Sequence, residues 1–326
     1  MTIRKFIQPV SLAFTLGLIA LGFSGAQARE IGPYPHSRVT LVTDAKPGDR
    51  DDLLLRDFAK FLGSAMGLTF EVKNMVGAGG ATAMAYVAKA PPDGSVFYAT
   101  TPTYIQTSIM SKPEIGYDAL EPIANVFQDP EVIFTRADSP SKTLKEAFEQ
   151  ARKDSGKSKW GAGASPLERG ALEQIARKEN LKVTVVPNTD RANIMANVLK
   201  GTFEIGIGEV HELEALLQAG KIRILATLTH NRLPFLPNVP TTQEQGVNVI
   251  VRKFRGLAGP RGIPSSAIIR IESGLTHVLE TEAYRSAYSK SSLLPAYMIR
   301  AELNNFIADF ASELIVSMKE LGLIKK

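Results

Sequence analysis

The 326-residue chain contains no cysteine, which rules out a disulfide framework, a cysteine zinc site, a thiol nucleophile and an iron–sulfur cluster. Histidine is scarce. The four present, His36, His211, His230 and His277, do not stand at metal-ligand spacing from one another. His211-Glu212 begins like a zinc-protease helix but lacks a second histidine four residues after the first. These histidines read as surface or packing residues. There is no Gly-x-Ser-x-Gly nucleophile elbow and no Gly-Lys-Ser/Thr phosphate loop. A dinucleotide fingerprint starting at Gly161 fails where Pro166 replaces the third glycine. Charge of one sign is also lacking. Of the net +5, Arg4 and Lys5 account for two, leaving +3, and no basic run with interleaved aromatics marks a nucleic-acid surface.

Long apolar runs are missing after the first few dozen residues. Arg4 and Lys5 precede the mainly apolar stretch from Leu12 to Phe23, and Ala26-Gln27-Ala28 follows as a small-x-small cleavage box. That order predicts a signal peptide over residues 1–28, cut after Ala28, and hence an exported, periplasmic protein. The stretch is short for a span of roughly 20 residues, and with no cysteine behind it a lipid anchor is excluded. The mature protein is expected to be soluble, with no direct membrane insertion.

What is present suits a globular chain: 44% hydrophobic and 22% charged residues, enough to bury a core. Short apolar runs alternate with amphipathic ones. Strands are predicted at Arg38–Val42, Thr69–Val72 and Val96–Thr100, with helices at Asp52–Met66 and Thr82–Ala90. The first helix carries Leu54, Leu55, Phe58, Phe61 and Leu62 on one face. A second block repeats the pattern. Helices are predicted at Leu144–Arg152, Leu167–Lys178, Ala192–Leu199 and His211–Gln218. Strands fall at Lys159–Gly161, Lys182–Val186, Phe203–Ile207 and Ile222–Thr227. Arg232–Gly246, rich in proline, reads as a connection between lobes, and Asn248–Pro260 as an extended return. Helices at Ala267–Leu279 and Ala301–Leu321 end the chain, the last with Leu303, Phe306, Phe310, Leu314 and Met318 in a core-facing stripe.

Strand–helix alternation in two blocks predicts an α/β fold of two lobes. Each is a mainly parallel sheet flanked by helices, in the type II-like architecture of periplasmic binding proteins. The expected division is residues 29–128 plus 252–326 for lobe 1 and 129–251 for lobe 2. Three small or glycine-rich loops stand at strand ends before helices: Asp44–Asp52, Gly77–Gly80 and Gly161–Ser165. Glycine admits a ligand close to the backbone, and a helix start offers unpaired N–H groups with partial positive charge. The other reading is that these are ordinary strand–helix turns.

The motifs resemble those of the periplasmic substrate-binding proteins of tripartite tricarboxylate transporters. Lys73–Gly80 is similar to E-N-R/M-P-G-A-G-G, and Val87–Gly94 matches V-A-K-A-P-P-D-G. Ala219–Arg223 corresponds to A-G-K-L-R. Arg232–Thr241 resembles R-x-P-x-L-P-D-V-P-T, and Phe254–Pro260 resembles W/F-R-G-x-x-A-P. The resemblance implies capture of a small organic acid between two lobes, without catalysis, cofactor or metal, and delivery to permease subunits in the membrane. The ligand would be a di- or tricarboxylate, an aromatic acid or an amino-acid-like molecule. A monomer is the simplest form for a protein that docks both lobes. The resemblance places ligand contacts at Ala45, Lys46, Pro47, Gly48, Asp51, Asp52, Gly79, Thr101, Thr103, Ala164, Ser165, Asn188, Thr189 and Glu209.

The sequence departs from the family at its charged positions. The first loop, Lys46–Asp52, holds three aspartates and an arginine where the family is glycine-rich and uncharged before its Asp. Asn188–Arg191 replaces Y-K-G-G, and Glu209 stands at a common Asn position. Extra acids repel a carboxylate unless paired. Either Lys46, Arg50 or Arg191 neutralises them, or the ligand brings a cationic or donor group. Other functions compatible with the sequence are an exported α/β enzyme using carboxylates such as Asp51 and Asp52, and a ligand-dependent partner of a sensor.

Overall fold

The structure is a computed structural model and describes residues 33–325. The signal peptide and its cleavage site fall outside the described residues.

The chain begins with β1 (Arg38–Thr43), α1 (Arg50–Met66), β2 (Thr69–Asn74), α2 (Ala81–Ala88), β3 (Val96–Thr100), α3 (Pro102–Ser111) and β4 (Leu120–Gln128). It continues with β5 (Glu131–Arg136), α4 (Leu144–Lys153), β6 (Lys159–Gly163), α5 (Pro166–Lys178), β7 (Thr184–Asn188), α6 (Arg191–Leu199), β8 (Ile205–Glu209), α7 (Val210–Gln218) and β9 (Ile222–Thr227). It closes with β10 (Phe254–Pro260), α8 (Ser265–Glu280), α9 (Glu282–Ser289), β11 (Leu294–Ile299) and α10 (Arg300–Glu320).

Two sheets result, with strand orders β11-β4-β10-β3-β1-β2 and β7-β6-β8-β5-β9. β1 pairs in parallel with β2 and β3, and β6 with β7 and β8. β10 is inserted antiparallel between β3 and β4, and β5 antiparallel between β8 and β9. The two sheets are therefore mixed, each with a parallel βαβ part and an antiparallel strand fed from the other sheet. Together with their helices they form two α/β lobes.

Local sequence explains the elements. α1 buries Leu55, Phe58, Ala59 and Leu62, a stripe at helical spacing, and ends at Gly67. That residue has φ 66°, and Leu68 N–H returns to the Gly63 carbonyl at 3.1 Å, a left-handed stop that favours glycine. α4 starts on a reciprocal Thr143–Glu146 capping box. β4 carries Pro122 inside a sheet, a residue with no N–H for the ladder. A register shift against β10 lies there, where Ala124 pairs with Leu257 and Pro122 with Ala258, so a bulge absorbs it.

The first sheet buries Leu41, Phe97 and Ile123 with Leu62 of α1 and Ile271 of α8 on one face. On the other it buries Val42 and Tyr98 with Met84 of α2 and Leu303, Phe310 and Leu314 of α10. The α10 stripe is core packing, as its spacing predicts. The second sheet packs Trp160 against Phe148 of α4 and Leu172 of α5 on one face. On the other it packs Phe134 against Ile194 of α6 and Leu213 of α7.

One sequence expectation needs correction. Arg232–Gly246 does not connect the lobes but folds back on the second sheet. Leu233 is fully buried with Val132 and Phe134, and Thr241 bridges Thr227. The chain changes sheet later, between Val251, still in the second core, and Phe254. There the two crossing segments meet: Asp129 N–H donates to the Lys253 carbonyl at 2.8 Å.

Candidate functional site

β1, β3, β6 and β8 all end where the two sheets face each other, and the residue run after each reaches a cavity of about 210 Å³. Ligands of α/β sheets bind at this edge, because helix starts and loops rather than closed ladders are exposed there. The lining comes from both lobes and from the crossing. Asp51, Thr101, Thr103 and Gln106 enter from the first lobe. Ser165, Leu167, Arg191 and Glu209 enter from the second, and Asp129, Lys253 and Arg255 from the crossing segments.

The first-lobe wall is the start of α3. Thr101 is its N-cap and makes no side-chain capping bond, and Pro102 fills the first turn. Thr103 N–H belongs to that turn and has no carbonyl four residues back within the helix. Gln106 reaches across to Ser165 Oγ at 3.3 Å, a direct bond between the lobes.

The opposite wall is a lattice of ion pairs. Arg50 donates to Asp129 Oδ1 at 3.1 Å, to Glu209 Oε2 at 3.2 Å and to the Ser291 carbonyl at 3.1 Å. Arg255 bonds Asp129 Oδ2 at 2.5 Å and Asp51 Oδ1 at 2.9 Å. Lys253 reaches Glu131 at 3.2 Å and also Glu209. Arg191 grips Glu168 in a fork and Glu212 at 3.3 Å. Four cations thus face six carboxyl groups, counting Asp51, Asp129, Glu131, Glu168, Glu209 and Glu212. Of these groups three carboxyls, Asp51, Asp129 and Glu209, and three cations, Arg191, Lys253 and Arg255, line the cavity, so it is already compensated by the chain's own charges.

The sequence folds this way because acids occupy backbone donors in and beside the strand–helix turns. Glu168 Oε2 accepts from Gly163 N–H at 3.0 Å, so closely that a Cβ on Gly163 would stand 2.2 Å from that oxygen. Asp52 Oδ2 accepts from Gly48 N–H at 2.9 Å, and Asp190 Oδ1 from Ala192 N–H at 2.9 Å. Glu131 and Glu209 are direct partners across β5 and β8, a like-charge pair that would be unfavourable without Lys253 between them.

Proton affinities follow. Burial, and then the neighbouring charge of Glu168, pushes the Glu131 carboxyl well above its usual range. Burial acts the same way on Glu209, but Lys253, His211 and Arg50 outweigh it and hold that carboxyl at about 2. Burial, then Arg50, lowers His211 to about 4, so its ring is neutral near pH 7. Burial would depress Lys253, yet Glu131, Glu209 and Glu168 hold it above its ordinary value.

A second, apolar cavity of about 70 Å³ adjoins the first across the shared residues Asp51, Thr101 and Arg255. Leu54, Leu55, Phe58, Phe127, Tyr284 and Tyr288 line it.

Of the residues expected to meet a ligand, the cavity brings together Asp51, Thr101, Thr103, Ser165, Arg191 and Glu209. Arg50 stands behind Glu209. Ala45, Lys46, Pro47, Gly48, Gly79, Ala164, Asn188 and Thr189 do not line it. Lys46, Pro47, Gly48, Gly79, Ala164 and Thr189 are exposed. Gly79 instead accepts a hydrogen bond from Thr107 of α3 at 2.6 Å, so its turn props the helix. Asp52 is buried but turned away, onto Arg56, Asn74 and Gly48 N–H. Asp51 and Asp52 therefore form no acid–base couple. Sequence reasoning missed Asp129, Lys253 and Arg255. It also set His211 aside as a surface or packing residue, although Nδ1 lies 3.1 Å from Glu209 Oε2. The motif Phe254-Arg255-Gly256 was the available signal for Arg255.

Asp129, Glu209 and His211 place ligand-capable atoms within 4.8 Å of one another. The set is one that could hold a divalent cation. Arg50 bonds both of its carboxylates, so positive charge is already supplied there.

With this geometry in view, the likeness to known proteins can be placed. A match to the family described as tripartite tricarboxylate transporter family receptor, TctC, spans residues 54–323. The chain belongs to this receptor family. Family receptors are periplasmic solute-binding proteins, and the fold here is that of such a receptor. A TctC solute-binding protein from Polaromonas superposes with TM-score 0.79 at 23% identity, over 88% of this chain and 99% of that one. MatC from Rhodopseudomonas palustris, with bound malate, superposes with TM-score 0.65 at 22% identity, over 87% and 99%. A UPF0065 protein of Cupriavidus necator is 24% identical over 99% of this chain and 98% of its own. At these identities the structural likeness carries the TctC-type fold. Among the described residues no helix is long and apolar enough to cross a membrane.

Proposed function

We propose that the chain is the periplasmic, monomeric receptor of a tripartite tricarboxylate-type transporter. It captures one small organic acid of amino-acid-like character between its lobes, does not transform it, and presents the closed form to the permease subunits. The observation that carries this reading is the 210 Å³ cavity, with neutral donors at the start of α3 and, opposite them, carboxylates paired to cations of the chain. A ligand carboxylate sits at the start of α3, against Thr101 and Thr103, where N–H groups and the helix dipole favour an anion. An ammonium or amide group faces Asp51, Asp129 and Glu209. A short apolar arm enters the adjoining cavity beside Phe58 and Tyr284. Of the acids the family takes, this geometry favours the kind that also carries a donor.

Residues 29–128 plus 252–326 and residues 129–251 are the moving lobes. They hinge near Gln128–Glu131 and Asn248–Lys253, where two connecting segments cross side by side. The absence of an Asp51–Asp52 couple supports binding without turnover.

A thermal-shift screen of amino acids, aromatic acids and dicarboxylates such as malate tests the reading. The expected result is a melting temperature raised by about 5 °C at a hundredfold excess over Kd, for an amino acid more than for malate. No shift with any solute contradicts it.

A further inference from the structure

Glu209 ends β8 and caps α7, and its carboxylate is buried in the cavity wall. Four nitrogen-bearing side chains from four segments close on it. Arg50 Nη1 of α1 lies at 3.2 Å, His211 Nδ1 of α7 at 3.1 Å and Arg191 Nη2 of α6 at 3.9 Å, and Lys253 of the crossing bonds it directly. Donors from both lobes converging on one carboxylate would grip a bound acid and hold the lobes together through charge-assisted bonds. Here that carboxylate is covalently part of the chain.

The consequence is visible in the rest of the cavity. Each cation that lines it is taken by a carboxylate of the protein: Arg191 by Glu168, Arg255 by Asp51 and Asp129, Lys253 by Glu131 and Glu209. A second carboxylate on a ligand finds no free cation among these and meets Asp51 and Asp129 instead. The start of α3 remains able to take one carboxylate.

We propose that Glu209 is a tethered stand-in for a ligand carboxylate, filling the cleft's inner anion position from within the chain and thereby restricting the site to ligands with a single carboxylate. This rests on the receptor reading and makes Glu209 the residue that separates this chain from a dicarboxylate receptor. Arg50, Lys253 and His211 are the groups that would receive the second carboxylate once Glu209 is gone.

The test is titration of wild type, Glu209→Ala and Glu209→Gln with malate and acetate, read by melting temperature and calorimetry. Glu209→Ala vacates the anion position and is expected to bind malate roughly 100-fold more tightly than wild type. Glu209→Gln removes the charge but keeps the position filled, and is expected to gain less. Equal malate affinity in wild type and Glu209→Ala overturns the proposal, as does a folded Glu209→Ala with no gain. If Glu209→Ala does not fold alone, acetate is added during refolding. Rescue of the fold by acetate and not by chloride supports a vacated anion position, and lack of rescue overturns it. The receptor reading is judged separately, by the wild-type response to the amino-acid panel. A flat response there with a malate gain in Glu209→Ala contradicts the amino-acid-like ligand class and leaves the role of Glu209 standing.

Discussion

On the first-lobe side of the cavity, α3 opens with Thr101, Pro102 and Thr103, and no carboxylate caps it. On the second-lobe side, α5 opens beside Glu168, which takes Gly163 N–H, and α7 opens on Glu209, which draws in Lys253 and Arg50. Both walls are made of strand ends followed by helices, so their backbones offer the same donors. They differ in what the chain has already put on those donors. One wall is left for a ligand, and the other is filled by side chains that bind each other. A βα turn is thus an anion site only where the sequence keeps its own acids away from it.

The comparison can be broken most forcefully at Lys253. It is the cation shared by Glu131 and Glu209, and removing it strands buried charge. Lys253→Met is expected to cost about 3–5 kcal/mol of stability, measured by urea unfolding. A loss under about 1 kcal/mol would mean the lattice is solvated rather than buried.

The next effect is a pH dependence. The unfolded chain takes up a proton on His211 near pH 6.5, whereas the folded ring, buried and beside Arg50, resists protonation until about 4 although Glu209 and Asp129 pull the other way. The unfolded state therefore binds more protons between those values, and stability falls as pH drops from 6.5 toward 4. The loss attributable to His211 is at most about 3 kcal/mol. It appears as the difference between wild type and His211→Gln in unfolding free energy at pH 7 and pH 4. Parallel curves for the two proteins would place His211 in solvent.

A smaller change sharpens the contrast at one atom. Gly163→Ala sets a Cβ 2.2 Å from Glu168 Oε2 and pushes that carboxylate off Gly163 N–H. The expected cost is about 1–3 kcal/mol by thermal unfolding, with Arg191 losing its fork partner. An unchanged melting temperature would show that Glu168 reaches Arg191 without the backbone bond.

Much of the fold is legible because helical stripes such as Leu55, Phe58 and Leu62 announce which face is buried. α3 is not legible that way. Its Thr-Tyr-Ile-Gln-Thr-Ser stretch has few helix formers and no clean stripe, and only Pro102 after Thr101 marks a start. β4 hides behind Pro122, which argues against a strand until the bulge opposite Ala258 is seen. In the site, Thr101, Thr103, Ser165 and Glu209 stand at strand ends, where a reading of turns can reach them. Lys253 and Asp129 cannot be found that way. They are brought together by one backbone bond between segments more than a hundred residues apart, and neither segment carries a pattern that names the other. The exposed loop Lys46–Gly48 illustrates the opposite error. Its charge attracted attention, but Asp52 turns inward to Gly48 N–H and leaves the loop tip in water.

The central claim is that a solute is held in the cavity between the lobes, against the start of α3. Calorimetric titration of the panel solute with the largest thermal shift, into wild type and Thr103→Trp, tests it most directly. Thr103 is exposed at the cavity wall, so an indole there fills ligand space without disturbing the core. One solute per wild-type chain and none per folded Thr103→Trp chain is the expected result. Equal affinity in the two proteins would contradict the account.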